Sequence, residues 1–127
     1  MELVEEIRNL IELKIEGDYW DFKEMWHDNK ASLLHDIICM ANNQLGRDAY
    51  IIIGVSSRCQ DGVKIKGVTE VNRKDQQHLI DFLRSKKFAG GLRPPVYLQT
   101  ISLCDDDGIP QSVDVIIVKN SEKTPFF

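Results

Sequence analysis

The sequence predicts one α/β domain, classed α/β or α+β, in which a mixed sheet of about five or six strands carries about three helices. Three observations predict it. A continuous apolar run dense in isoleucine, Ala49 to Val55, suits a central strand covered on both faces. Apolar residues at helical spacing recur on either side of that run. Shorter segments that alternate apolar and polar residues, bounded by turn signals, supply further strands. A chain of 127 residues, 43% hydrophobic and 28% charged, is long enough to bury one core, so residues 1–127 are expected to form one domain.

Along the chain, Leu3, Val4, Ile7, Leu10 and Ile11 form the stripe of an amphipathic helix over residues 3 to about 14, with Gly17 as its stop. Tyr19 to Met25 then alternates, setting Trp20 and Phe22 on one face of a strand and Asp21 and Lys23 on the other. Leu33, Leu34, Ile37, Ile38 and Ala41 predict a second helix, ended by Asn42, Asn43 and Gly46. After the isoleucine run, Asp61-Gly62 reads as a hairpin turn into Val63 to Val68, where Lys64 and Lys66 alternate with apolar residues. Residues 74–88 read as a third helix ending at Ala89-Gly90-Gly91. Pro94-Pro95 leads into a strand from Val96 to Leu103, and Asp105 to Pro110 turns the chain into Ser112 to Val118. The ending Lys123-Thr124-Pro125-Phe126-Phe127 is aromatic where a frayed terminus is polar, from which we expect a fragment of a longer protein with further domains.

No apolar run approaches the length of a membrane span, and the acidic start Met1 to Glu6 is unlike a signal peptide, so a cytoplasmic protein with no membrane partner is expected. Cys39, Cys59 and Cys104 are odd in number and widely spaced, which suggests reduced thiols. The formal net charge of −4 argues against coating nucleic acid by bulk electrostatics. Its distribution is uneven. Residues 23–104 carry twelve bases against eight acids, whereas both flanking stretches are acidic.

The chemistry resides near Glu16, Asp21 and Lys23. Two carboxylates can hold a divalent ion that neutralises charge on a phosphodiester and activates water, and a lysine can share the charge stabilisation. Other candidates carry less. His35 and Cys39 lie four apart on the second helix with no further ligands at comparable spacing, and read as core and cap. His27 reads as a surface residue near a turn. Trp20 belongs to the core, while Tyr19 and Trp26 are open to either packing or base stacking. Asp105-Asp106-Asp107-Gly108 is turn chemistry, lacking the later ligands of a calcium loop. No Gly-x4-Gly-Lys-Ser/Thr segment occurs, so no ATP site is expected.

The order Glu16, Asp21-Phe22-Lys23, Ala41-Asn42, Gly46, Ile53-Gly54-Val55 and Gly67-Val68 resembles the Schlafen AlbA-type domain, also called the divergent AAA-associated domain. That family carries a Glu, then Glu-Phe-Lys, a helix ending Ala-Asn, and a strand ending Ile-Gly-Val-x-Asp. The resemblance implies a nucleic-acid-binding domain and, by similarity to the Schlafen ribonucleases, an Mg²⁺- or Mn²⁺-dependent RNA or DNA endonuclease. Glu16 and Asp21 would then be metal ligands, with Lys23 beside them as the third residue of the catalytic group. The third carboxylate of the family falls on Ser57, with Asp48 or Asp61 as substitutes if the hairpin folds back. Lys23, Arg47, Arg58, Lys64 and Lys66 would contact nucleic acid. The alternative is a non-catalytic DNA-binding or assembly module of a bacterial transcriptional regulator or defence protein, distinguished by Ser57. A homodimer through an exposed final strand and Phe126-Phe127 is compatible with either.

Overall fold

The computed structural model describes residues 2–42, 46–59, 62–86 and 94–120, with side chains at all of these positions except 58 and 59. Helix α1 spans Leu3–Glu12, strand β1 Trp20–Lys23, helix α2 Lys30–Ala41 and strand β2 Ala49–Ile53. Strands β3, Val55–Cys59, and β4, Gly62–Ile65, precede helix α3, Gln76–Arg84, and strands β5, Val96–Cys104, and β6, Pro110–Val118. The expected mixed α/β architecture is present. Its six strands are divided, however, between a four-stranded sheet ordered β1-β2-β6-β5 and a separate β3-β4 hairpin. Strand β1 runs parallel to β2, and the other neighbours are antiparallel.

Period two divides the core into two layers. Ile51, Ile53, Ile116 and Val118 face α2 and α3, packing on Leu33, Ile37, Leu79 and Phe82. Trp20, Phe22, Tyr50, Ile52, Val113 and Val115 face the other way, onto Ile7, Leu10 and Ile11 of α1, with Val63 and Ile65 of the hairpin closing that side. Strand β2 is buried along its whole length, which is why its sequence is a continuous apolar run.

Helix α1 stops earlier than Gly17. Its last turn closes on Leu13, and Lys14 takes the left-handed conformation at φ 60°. Gly17 instead makes room for an aromatic ring. A Cβ there would lie 2.2 Å from the Trp20 ring, so only glycine lets the indole lie across the backbone. The second glycine of consequence is Gly54, at φ 108°. Its N–H donates to the Lys23 carbonyl at 2.7 Å, and its own carbonyl accepts from Lys66 and Gly67. A Cβ would meet the Gly67 carbonyl carbon and the Val68 nitrogen at 3.1 Å. Here the chain leaves the main sheet and enters the hairpin.

The final strand is internal. β6 lies between β2 and β5, so it offers no edge for a homodimer, and Phe126-Phe127 lie outside the described residues. Asp114 of β6 is buried, 1% exposed, on the α2 and α3 side. It accepts from Trp26 Nε1 at 2.8 Å, Arg73 Nε at 2.9 Å, Arg73 Nη2 at 3.2 Å and Thr100 Oγ1 at 2.6 Å. Four donors compensate the desolvation of this carboxylate. Trp26 is therefore a core residue rather than a stacking platform. Among the described residues no helix is long and apolar enough to cross a membrane.

Candidate functional site

Alternation on β1 sends Trp20 and Phe22 into the α1 layer and turns Asp21 and Lys23 to the opposite face. Glu16 is brought to the same place by the tight return between α1 and β1. There Gly17 bridges Trp20, and Trp20 Nε1 donates to the Ile15 carbonyl at 2.9 Å. Gly54 then swings β3 across the end of β1, bringing Ser56 and Ser57 to the rim. The result is a cavity of about 350 Å³ lined by Glu16, Asp21, Phe22, Lys23, Glu24, Ser56 and Ser57.

Within it, the carboxyl of Glu16 stands against that of Asp21. Burial, then the hydrogen bond to Glu16, push Asp21 from 3.8 up to about 6, against the pull of the Lys23 ammonium. Lys23 Nζ lies 3.2 Å from Asp21 Oδ2 and 3.4 Å from Asp36 Oδ2 on α2. Burial alone would lower the lysine, yet the two carboxylates outweigh it and hold Lys23 above its ordinary value. Asp36 in turn takes His27 Nε2 at 2.7 Å. Burial would raise Asp36, but His27 and Lys23 prevail and keep it below the usual carboxylate range. Ser57 Oγ donates to Glu16 Oε1 at 3.4 Å. A neutral hydroxyl, and not a third carboxylate, thus faces Glu16 from the hairpin.

The structure places the sequence-predicted residues unequally. Glu16, Asp21, Lys23 and Ser57 come together. Arg47 does not join them, because it precedes β2 while Lys23 lies level with the last residue of that strand. Six residues of extended chain correspond to about 20 Å. Its guanidinium binds Glu6 Oε1 at 2.8 Å and covers the Tyr19 ring at 3.7 Å. Lys64 and Lys66 lie on the hairpin side; Lys64 is ion-paired to Asp106, and Lys66 is exposed. The side chain of Arg58 and all of Asp61 lie outside what is described. Asp48 is no substitute ligand: it holds Lys119 Nζ at 3.0 Å and the Asn120 N–H at the other end of β2.

Two further expectations change. The side chain of His27 is 5% exposed rather than lying on the surface, and its Nδ1 is the buried side-chain atom left without a partner among the described residues. His35 and Cys39 lie on the exposed side of α2, 3.5 Å apart, rather than in the core. Sequence reasoning also missed Asp36, since the apolar spacing of α2 gives no signal of the lysine it meets.

For a divalent ion the donor set is two carboxylates and a neutral hydroxyl. Among the described residues no group of three or more His, Cys, Asp or Glu side chains could hold a metal ion. Mg²⁺ often relies on one or two protein carboxylates with waters and substrate phosphates completing its shell, so Glu16 and Asp21 fit a weak site of that kind.

Comparison with known proteins gave one positive result. The family model described as Schlafen, AlbA_2 matches residues 16–126, beginning at the first carboxylate of the cavity and running past β6. No curated protein and no solved structure matched the chain. A match over most of the length, joined to a mixed α/β fold that gathers Glu16, Asp21 and Lys23 around one cavity, shows that the chain belongs to the Schlafen AlbA_2 family of nucleic-acid-related domains.

Proposed function

We propose that the domain binds RNA or DNA, and that the Glu16, Asp21 and Lys23 cavity receives a backbone phosphate through an Mg²⁺ or Mn²⁺ ion. The observation that carries this reading is the pairing of two carboxyls inside one cavity, with the Asp21 pKa pushed up to about 6. Two carboxyls brought together repel a bare phosphate but suit a cation held between them. When bound, the ion would neutralise phosphate charge and lower the pKa of a water. Lys23, braced between Asp21 and Asp36, would set an ammonium beside the phosphate. Ser57 would orient Glu16. Lys66, exposed on the hairpin side, and Lys64 would extend the contact along the backbone.

Metal-dependent cleavage of the phosphodiester is the finer form of the proposal. The second reading is a non-catalytic binding module, and the observation favouring it is that a hydroxyl, that of Ser57, and not a carboxylate faces Glu16. Labelled transfer RNA, single-stranded DNA and duplex DNA, each incubated with Mn²⁺ or Mg²⁺, separate the two. Cleavage abolished by the Glu16→Ala, Asp21→Ala double variant supports the nuclease. Metal-dependent binding without cleavage supports the module. Binding that is absent, or indifferent to salt and to chelator, sinks both, because phosphate contacts weaken steeply as salt rises.

A further inference from the structure

Strand β5 is the outer strand of the four-stranded sheet, and it is unusual for one. Its nine residues, Val96–Cys104, contain no charged side chain and no proline. Its register with β6 runs without a bulge from Val96↔Val118 to Cys104↔Pro110. Exposed edges of natural sheets are ordinarily blunted by charges, prolines, bulges or short length, because their unpaired N–H and C=O groups recruit further strands.

The direction of the free groups can be read from the bonds made. Lys119 donates its N–H to the Pro95 carbonyl across the β5-β6 ladder. Leu98, three residues on, points its N–H away from β6 into Gln76 Oε1 of α3. Alternation therefore turns the backbone groups of Thr100, Ser102 and Cys104 outward as well. Helix α3 covers the start of the strand through Gln76; no strand lies beside Thr100 to Cys104 among the described residues.

The charges flanking this edge select the occupant. Beyond Cys104 the chain turns through Asp105, Asp106 and Asp107, with Asp107 exposed. At the Val96 end, Arg84 lines a cleft with Val96 and Tyr97, and Lys119 borders Tyr97 and Leu98. Lys119 is already paired to Asp48 and Asp106 to Lys64, so the charges offered to a partner are those of Asp107 at one end and Arg84 at the other. In an antiparallel pair each acidic turn would come to the partner's basic end, and a two-fold axis near Ser102 makes both contacts at once.

We propose that the outer edge of β5 is a homodimer interface, in which a second copy of this chain pairs antiparallel through Thr100 to Cys104 and joins the two sheets into one of eight strands. This interface is independent of the nucleic-acid reading. Its test is sedimentation velocity over a concentration series for the parent chain, for Ser102→Pro and for Ser102→Lys. The Ser102 N–H points outward, so proline removes a donor to the partner and none to β6, while lysine places like charges against each other at the axis. The expected result is a parent dimer that dissociates on dilution and weakens with salt, with both variants monomeric and unchanged in far-UV circular dichroism. A parent that stays monomeric at every concentration, whether an unrelated strand or residues 121–127 fill the edge, overturns the proposal. So does a dimer untouched by both substitutions.

Discussion

Replacing Asp21 with Asn isolates the carboxyl pair thermodynamically. In the folded chain this acid is pushed from 3.8 up to about 6, first by burial and then by Glu16, with Lys23 opposing. An acid whose folded pKa lies above its unfolded value favours folding below the unfolded value, and that contribution is lost as pH rises through the folded one. The window here runs from 3.8 to about 6. At 1.36 kcal/mol per pKa unit the full displacement corresponds to about 3 kcal/mol, of which about half is recovered on going from about pH 8 to about pH 5. Partial exposure of the cavity and screening reduce that half to about 1 kcal/mol. Asn has no proton to release. The variant should therefore gain about 1 kcal/mol on the parent at about pH 8 relative to their difference at about pH 5. Urea unfolding followed by circular dichroism, on both proteins at both pH values, measures this double difference. A difference that does not change with pH, or one that favours the parent at high pH, would refute the paired-carboxyl account.

Other outcomes follow from the same geometry. Gly54→Ala, which forces a side chain to φ 108° against the Gly67 and Val68 backbone, should cost about 1–3 kcal/mol in denaturant unfolding. Asp114→Ala strips the partner from Arg73, Trp26 and Thr100 at once and should cost about 3–5 kcal/mol by the same measurement. Ser57→Asp, which adds a carboxylate at a position whose hydroxyl lies 3.4 Å from Glu16, should tighten Mn²⁺ binding by about tenfold in calorimetry, the gain vanishing at low pH. If nucleic acid lies along the hairpin side, Lys66→Ala should lower the salt slope of binding by about one, while Arg47→Ala, altered at the far end of β2, should leave that slope unchanged.

What could be read from residues alone was whatever depends on short-range periodicity. The run Tyr50-Ile51-Ile52-Ile53 announces a strand buried on both faces because no polar residue interrupts it, and β1 declares its two faces by strict alternation. The family order of motifs led to Glu16, Asp21 and Lys23, which do converge. Interactions between residues distant in sequence were hidden. Trp26 and Asp114 are 88 positions apart, and only the oddity of an acid between Val113 and Val115 hinted at a buried site. Asp36 sits on a helix whose apolar spacing says which face is buried but not that Lys23 waits opposite. The extent of α1 was legible but its stop signal was not, because Lys14 adopts a conformation usually left to glycine, while the nearby Gly17 serves an aromatic contact. The hairpin's separation from the main sheet was equally invisible, since Val55 continues the apolar run after the backbone has already turned at Gly54.

That turn has a mechanical consequence. Glu16 and Asp21 are anchored to β1 and its approach, whereas Ser56 and Ser57 ride on the hairpin, so the two walls of the cavity belong to different sheets joined in sequence at one glycine. A small rotation about Gly54 changes the gap between Ser57 and Glu16 while the ladder from β1 to β5 stays intact. Any widening of the mouth works against Val55, Val63 and Ile65, which pack the hairpin on the α1 layer. A substitution at residue 54 would therefore act on the width of the opening and on the packing of the hairpin together.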